Sequence, residues 1–228
     1  MKPFPRVFVA AVALVGATTV AAAQTPAGLL NKLEVQKLVA VDTSEANAAL
    51  AAHFTALADR YTADAAKHKA MGQAYAANAN RSAATSARTH CARLSALAAE
   101  SGTAAREMAT YHRGLAGGKA AVPPKGAGAL QGGKGAPEPN AEQLHHLAMT
   151  AKTRSDHLAL EEYFATLAKK NTAEGEDHVA MAKAYRAGVR KGTHDPAVHC
   201  DRLARLAREA AKEAAAAAAL HKQLANIG

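Results

Sequence analysis

Histidine, cysteine, methionine and tyrosine recur in this 228-residue sequence at a spacing that suits a metal site. An acidic residue, a histidine, a methionine and a tyrosine follow one another at steps of three or four residues, and a His-Cys pair comes later. The two copies are Asp64, His68, Met71, Tyr75, His90 and Cys91, and then Glu174, His178, Met181, Tyr185, His199 and Cys200. Imidazole, thiolate and thioether groups suit soft metals, so the pattern predicts a site for copper(I) first and zinc second.

Each copy is expected to place its metal ligands in two layers. If each copy forms two antiparallel helices joined by a loop, counting back from that loop puts Met71 level with His90 and Cys91. His68 then lies about 10 Å further along the helix axis. The matching ligands of the second copy are Met181, His199 and Cys200, with His178 below them. The acidic residues share a helix face with these histidines and would orient the rings from behind, as would the tyrosines. These outer partners are Asp64, Tyr75, Glu174 and Tyr185.

The two cysteines, Cys91 and Cys200, have a second interpretation. Two cysteines at equivalent positions of an exported chain most simply form one disulfide. Such a bond would close a loop of about 110 residues and stabilise the fold by roughly 4–5 kcal/mol in the entropic description. A structural or partner-binding bundle stapled by this disulfide is therefore the alternative function. Non-covalent haem held between histidine or methionine ligands is the third.

Motifs that would indicate an enzyme do not stand out. The sequence has no C-x-x-C-H, no H-E-x-x-H and no phosphate-binding glycine loop. One E-x-x-H occurs, from Glu142 to His145, whereas a di-iron bundle needs two of them and further glutamates. The sequence therefore favours a non-enzymatic protein. The unrepeated histidines are expected at the surface; they are His145, His146, His157 and His194.

The candidate ligands belong to an internal repeat. Residues 50–75 match residues 160–185 at an offset of 110, and residues 90–116 match residues 199–225 at an offset of 109. The change of one residue falls in the loop between the two matched blocks, where insertions are tolerated. Gene duplication explains this pattern better than shared composition does.

Apolar residues at helical spacing predict the fold class. Leu50, Phe54 and Leu57 begin a stripe along one helix face, and His90, Leu94 and others begin a second. Each repeat therefore reads as an antiparallel helical hairpin, with a short helix before it. Because neither hairpin can bury its stripe alone, we expect an all-α four-helix bundle built from two duplicated hairpins. We expect the hairpins to lie side by side with both loops at one end.

The chain divides into four segments. Residues 1–23 have the charged, apolar and small-residue order of a signal peptide, which predicts a periplasmic or secreted protein. Residues 24–116 and 141–228 hold the two repeats, and residues 117–140 form a linker rich in glycine, proline and alanine.

The composition limits the kinds of binding partner that the sequence predicts. Aromatic residues make up 4% of the chain and there is no tryptophan, so a stacking platform for nucleic-acid bases is not expected. No apolar stretch is long enough for stable membrane insertion. A metal ion is the partner that the sequence predicts, and a protein partner is not identified by it.

Overall fold

A computed structural model describes residues 29–78, 81–117, 139–188 and 195–227 of the chain. Six helices and no strand occur in these ranges, which confirms the all-α class. They are α1 (Lys32–Val41), α2 (Ser44–Ala77), α3 (Arg81–Leu115), α4 (Ala141–Thr150), α5 (Arg154–Ala187) and α6 (Pro196–Ile227). None of these helices is long and apolar enough to cross a membrane. The predicted signal segment and most of the predicted linker lie outside the described residues.

Side chains at the helix starts explain why the elements begin where they do. At α1, the Asn31 side chain accepts a hydrogen bond from the Glu34 amide at 3.0 Å, and the Glu34 carboxylate accepts one from the Asn31 amide. Such a reciprocal box satisfies two amides that a helix start otherwise leaves unpaired. At α6, the Asp195 carboxylate accepts from the Ala197 amide at 2.9 Å, with Pro196 between them. The break between α2 and α3 is short, because α3 already begins at Arg81.

The four long helices pack as a bundle. Helix α2 packs along α3 and α5 packs along α6, while α3 and α6 join the two pairs. The partners within each pair run antiparallel, because Gly72 near the end of α2 lies beside Cys91 near the start of α3, and Gly102 lies beside Ala58. The short helices α1 and α4 both contact α2 and α5. They therefore bridge the side of the bundle that α2 and α5 form.

The two helix pairs pack head to tail, which corrects the predicted side-by-side arrangement. One core cluster joins Phe54 and Met108 to Met181 and Cys200. The other joins residues near the α2–α3 loop, such as Met71 and Cys91, to Phe164 and Ala214. The loop end of each pair thus meets the open end of the other.

Polar contacts between α3 and α6 follow the same antiparallel order. Arg202 near the start of α6 pairs with Glu100 of α3 at 3.2 Å, and Glu213 further along α6 pairs with His90 near the start of α3 at 2.6 Å. The interior between these rows is rich in buried alanine, which allows the two helix backbones to approach closely. This seam and its ion pairs join the two pairs of helices.

Head-to-tail packing predicts a clear pattern of distances. Spin labels at the exposed positions Gln73 and Ala187 should lie at opposite ends of the bundle, roughly 40 Å or more apart by the helical rise. Labels at Gln73 and Lys222 should lie at the same end and be much closer. Double electron–electron resonance on chains with both native cysteines replaced by alanine measures both distances. A short distance between Gln73 and Ala187 would contradict head-to-tail packing and support the side-by-side arrangement.

Candidate functional site

Polar side chains cross the bundle interior in three layers. The first end layer contains Asn47, His112 and Tyr185. The central layer contains Arg60, Tyr61, Glu174 and His178. The second end layer contains Tyr75, His157 and His221. Each layer joins α2 or α3 to α5 or α6, so it connects the two helix pairs.

The hydrogen bonds of the first end layer show which ring nitrogen of His112 carries a proton. The Asn47 amide nitrogen donates to Asp42 and to the Thr43 carbonyl, so its side-chain oxygen must face His112, 2.7 Å from Nδ1. That oxygen can only accept, so His112 Nδ1 carries the proton. Nε2 of the neutral ring is then an acceptor for the Tyr185 hydroxyl, which lies 2.7 Å away. The Phe54 ring stacks on His112 at 5.7 Å and an interplanar angle of 3°.

The second end layer repeats this arrangement with one change. The Tyr75 hydroxyl lies 2.9 Å from Nε2 of His221, and Phe164 stacks on His221 at 5.7 Å and 3°. The repeat offsets relate these three residues to Tyr185, His112 and Phe54. In the place of Asn47 stands His157, whose Nδ1 lies 3.3 Å from Nδ1 of His221.

A part-buried ionic cluster forms the central layer. One carboxylate oxygen of Glu174 accepts hydrogen bonds from the Arg60 guanidinium and the Tyr61 hydroxyl. The same hydroxyl lies 3.2 Å from Nε2 of His178, which in turn lies 3.7 Å from the Glu174 carboxylate. The Arg60 guanidinium also lies 5.1 Å from the centre of the Tyr61 ring. Arginine, tyrosine and histidine together therefore surround a single carboxylate.

The charges of the central layer follow from these contacts. Burial alone would raise the pKa of Glu174, but the Arg60 guanidinium and the donors from His178 and Tyr61 outweigh it and lower that pKa to about 2. Burial and the adjacent carboxylate raise the pKa of Tyr61 well above its ordinary value. Glu174 is thus ionised and Tyr61 protonated at neutral pH.

The lower layer of predicted ligands borders a central cavity. His68 is buried and lines this cavity together with Asp64, Asn171 and Lys170. Asp64 also pairs with Lys67 on its own helix at 3.3 Å. The cavity volume is about 30 Å³, which is room for about two water molecules. Since His178 lies instead in the ionic cluster with Tyr61, the two matched histidines have different surroundings.

The upper histidines of the predicted metal sets are held by glutamates of the opposite helix pair. Nδ1 of His90 lies 2.6 Å from the Glu213 carboxylate, and Nδ1 of His199 lies 3.1 Å from that of Glu107. Both histidine side chains are about a quarter exposed at the α3–α6 seam. Their positions on the seam separate them from the buried layers.

The predicted disulfide between Cys91 and Cys200 is wrong. Both cysteines are free and fully buried, and they belong to different core clusters. Head-to-tail packing is the physical reason, because it places equivalent residues of the two halves at opposite ends. Burial raises the pKa of the Cys91 thiol to about 12, and burial likewise raises that of Cys200. Met71 and Met181 lie in the same two clusters as core residues.

The predicted ligands are therefore distributed rather than gathered into one site. Within the described ranges, no three histidine, cysteine, aspartate or glutamate side chains are grouped as a metal ion would need. The predicted outer partners Tyr75, Tyr185 and Glu174 contact residues of the opposite helix pair instead. The repeated side chains serve mainly as contacts between the two pairs.

Several residues of these layers were not among the predicted ligands. His112 and His221 recur in the repeat, as do Phe54 and Phe164, and that recurrence was the available signal. Arg60, Tyr61, Asn47 and His157 have different residues at the matched positions, so the repeat does not mark them. His157 was expected at the surface and is 8% exposed.

The helices and their contacts define an all-helical bundle whose apolar core is crossed by three polar layers. The chain matches no protein-family model, no curated protein and no solved structure.

Removing the central carboxylate should destabilise the protein strongly. Glu174→Gln leaves the part-buried Arg60 guanidinium without its nearest counter-charge, and breaking such a pair costs up to about 3–5 kcal/mol, the value for a fully buried pair. The matched control is Glu176→Gln, an exposed glutamate on the same helix, which should change the free energy of unfolding by less than about 0.5 kcal/mol. Urea denaturation at pH 7 measures both. Equal stabilities for the two variants would contradict a structural role of the ionic cluster.

Acid should destabilise the fold through His53. Its Nδ1 accepts from the Leu30 amide at 3.0 Å, and burial, followed by His178 and Arg60, lowers its pKa to about 3. The unfolded chain thus takes up this proton first, so stability falls as pH drops from about 6.5 towards 3, by about 1.4 kcal/mol per pH unit. His53→Gln should remove this part of the slope, measured by urea denaturation between pH 4 and 7. The control His146→Gln, at an exposed site, should keep it, and an unchanged slope in His53→Gln would refute the assignment.

Proposed function

We propose that this chain is an exported, non-catalytic helical bundle that serves as a structural or partner-binding module. One observation carries the proposal. The repeated tyrosines and histidines bind one another, or glutamates, across the interface between the two helix pairs. These are the side chains that a metal or substrate site would need.

The electrostatics favour a non-catalytic role. A general acid or base works best with a pKa near the operating pH. Burial raises the pKa of Tyr61 and Tyr75 and lowers that of His53 and His221, while the Arg60 cation lowers that of Glu174. Each of these shifts moves the pKa of the group away from pH 7, so the group keeps a single protonation state there. Such groups stabilise a fold and transfer protons poorly.

Copper or zinc binding through the repeated sets is the second candidate. Nδ1 of His90 and Nδ1 of His199 could stay on Glu213 and Glu107 while each Nε2 binds an ion, so the obstacle lies with the other ligands. The thiols of Cys91 and Cys200 would have to lose their protons inside an apolar core, where burial favours the protonated form. The buried Arg60 cation adds repulsion at the central layer.

Haem fits the interior less well than a metal ion does. Pockets for organic ligands of that size have volumes of roughly 300–1,000 Å³. The central cavity measures about 30 Å³. A haem would therefore require the long helices to separate, at the cost of the central layer.

Duplication is part of this proposal. A single ancestral hairpin that paired with a second copy of itself would bury its stripe in the same way as the two halves do now. The matched tyrosine–histidine contacts at both ends support this origin, since a symmetric pair makes each contact twice.

Metal content and free thiols, measured on the same sample, test the proposed function. The untagged mature chain should give two titratable thiols in denaturant without reductant. Incubation with copper(I) or zinc should give the same bound metal in the wild type and in the double variant His90→Ala/His199→Ala. The double variant His68→Ala/His178→Ala should lower the free energy of unfolding equally with and without metal, because its histidines are buried core residues.

Two results would contradict the proposal. Stoichiometric copper or zinc that is lost on changing His90 and His199 would establish the metal-binding alternative. Metal affinity that falls with His68 and His178 while the fold stays intact would do the same for the lower layer. Zero thiols in denaturant would instead restore the Cys91–Cys200 disulfide.

A further inference from the structure

The two end layers differ at a position that changes their chemistry. The repeat offset relates Asn47 of the first end layer to His157 of the second. Asn47 presents an amide oxygen to Nδ1 of His112, whereas His157 presents a second imidazole nitrogen to Nδ1 of His221. The Asn47 amide is a finished hydrogen-bond network, because its oxygen accepts from His112 and its nitrogen donates to Asp42 and Thr43. Two facing imidazole nitrogens are also a pair of metal ligands.

The distance between the two nitrogens suits a tetrahedral metal ion. The Nδ1 atoms of His157 and His221 lie 3.3 Å apart. In the absence of an ion, one protonated Nδ1 can donate a hydrogen bond to the other at this distance. Zinc–imidazole bonds of about 2.0–2.1 Å at the tetrahedral angle place two ligand nitrogens about 3.3–3.4 Å apart.

The surroundings hold His221 in the orientation that a ligand needs. Phe164 stacks on one face of its ring, and the Tyr75 hydroxyl lies 2.9 Å from its Nε2. A metal-bound histidine usually donates its other ring N–H to an oxygen, and the Tyr75 oxygen can accept that hydrogen bond. His221 can therefore direct an unprotonated Nδ1 towards an ion without leaving its place.

Space, access and charge at this end also permit an ion. A cavity of about 10 Å³ borders both histidines, Tyr75 and Asn78, which is close to the space of one water molecule. His157, at 8% exposure, is the more accessible of the two histidines, since His221 is 1% exposed. Burial lowers the pKa of both His157 and His221, so both rings are in the neutral form that binds metals. In the central layer, by contrast, the Arg60 guanidinium would repel a cation.

We propose that Nδ1 of His157 and Nδ1 of His221 together bind one divalent transition-metal ion, with zinc as the ion whose geometry the pair matches. Solvent fills the remaining positions, since the protein supplies two ligands. Neither metal ligand belongs to the repeated sets, although Tyr75 of the first set orients His221. It exists at one end of the bundle only, because Asn47 occupies the matched position at the other end.

The two end layers supply matched variants for the test. His157→Asn gives the second end layer the side chain that the first already has, so this variant should fold with wild-type thermal stability in the absence of metal. It should lose the single zinc ion that the untagged wild type binds in equilibrium dialysis against zinc chloride. His146→Asn, at an exposed histidine of α4, should keep that ion.

The reverse exchange tests whether a second zinc site can be created in the first end layer. Asn47→His in the wild type should raise the zinc stoichiometry from one to two per chain, because it places an imidazole opposite His112 as His157 stands opposite His221. X-ray absorption at the zinc edge should count two imidazole ligands in the wild-type complex. This second measurement needs no variant to fold.

Three outcomes would overturn the site. They are a wild type that binds no zinc, a His157→Asn variant that keeps its zinc, and an absorption spectrum with fewer than two imidazoles. Should His157→Asn unfold, the wild-type absorption spectrum decides. Zinc lost in His157→Asn and zinc lost in His90→Ala/His199→Ala are separate results, so this site and the proposed function are tested independently.

Discussion

A hydroxyl or imidazole buried in a helical bundle needs a hydrogen-bond partner, and here the partner lies on the opposite helix pair. Tyr75 reaches His221 at one end, and Tyr185 reaches His112 at the other. An unsatisfied buried polar group costs about 1–3 kcal/mol, so these contacts weigh heavily against any packing that breaks them. Because each tyrosine lies near a hairpin loop and each histidine near an open end, both contacts form together only in the head-to-tail arrangement. The separation of the two cysteines follows from this one constraint.

The central ionic cluster fixes the register along the bundle axis. Much of the core consists of alanine, whose small side chains allow close packing but discriminate poorly between neighbouring registers. A slip of one helical turn, about 5.4 Å, would carry Glu174 away from Arg60 and leave two buried charges unpaired. The apolar contacts would lose far less. A buried ion pair adds little net stability by itself, but in an alanine-rich interior it makes one alignment much better than the next.

The helices could be predicted from the sequence because their signals are local. Helical spacing predicted the four long helices, with a short helix before each pair. The relative direction of the two hairpins could not be predicted in this way, because an apolar stripe has the same period in either direction. The repeat correctly drew attention to His90, His199 and the tyrosines, but a repeated residue does not reveal its partner. Glu213 and Glu107, which bind the two histidines, lie more than 90 residues away from them in the chain.

The differences between the two halves explain features that their similarity does not. The repeat offset relates Tyr61 to Asn171 and Arg60 to Lys170. Tyr61 reaches Glu174, whereas the shorter Asn171 stands at the matched position, and both residues line the central cavity with Asp64 and His68. A small side chain in place of a large one leaves a void in a close-packed interior unless the neighbours move in. The difference between Tyr61 and Asn171 therefore favours open space at this level of the bundle. The difference between Asn47 and His157 likewise gives the two end layers different chemistry, with an imidazole in place of an amide.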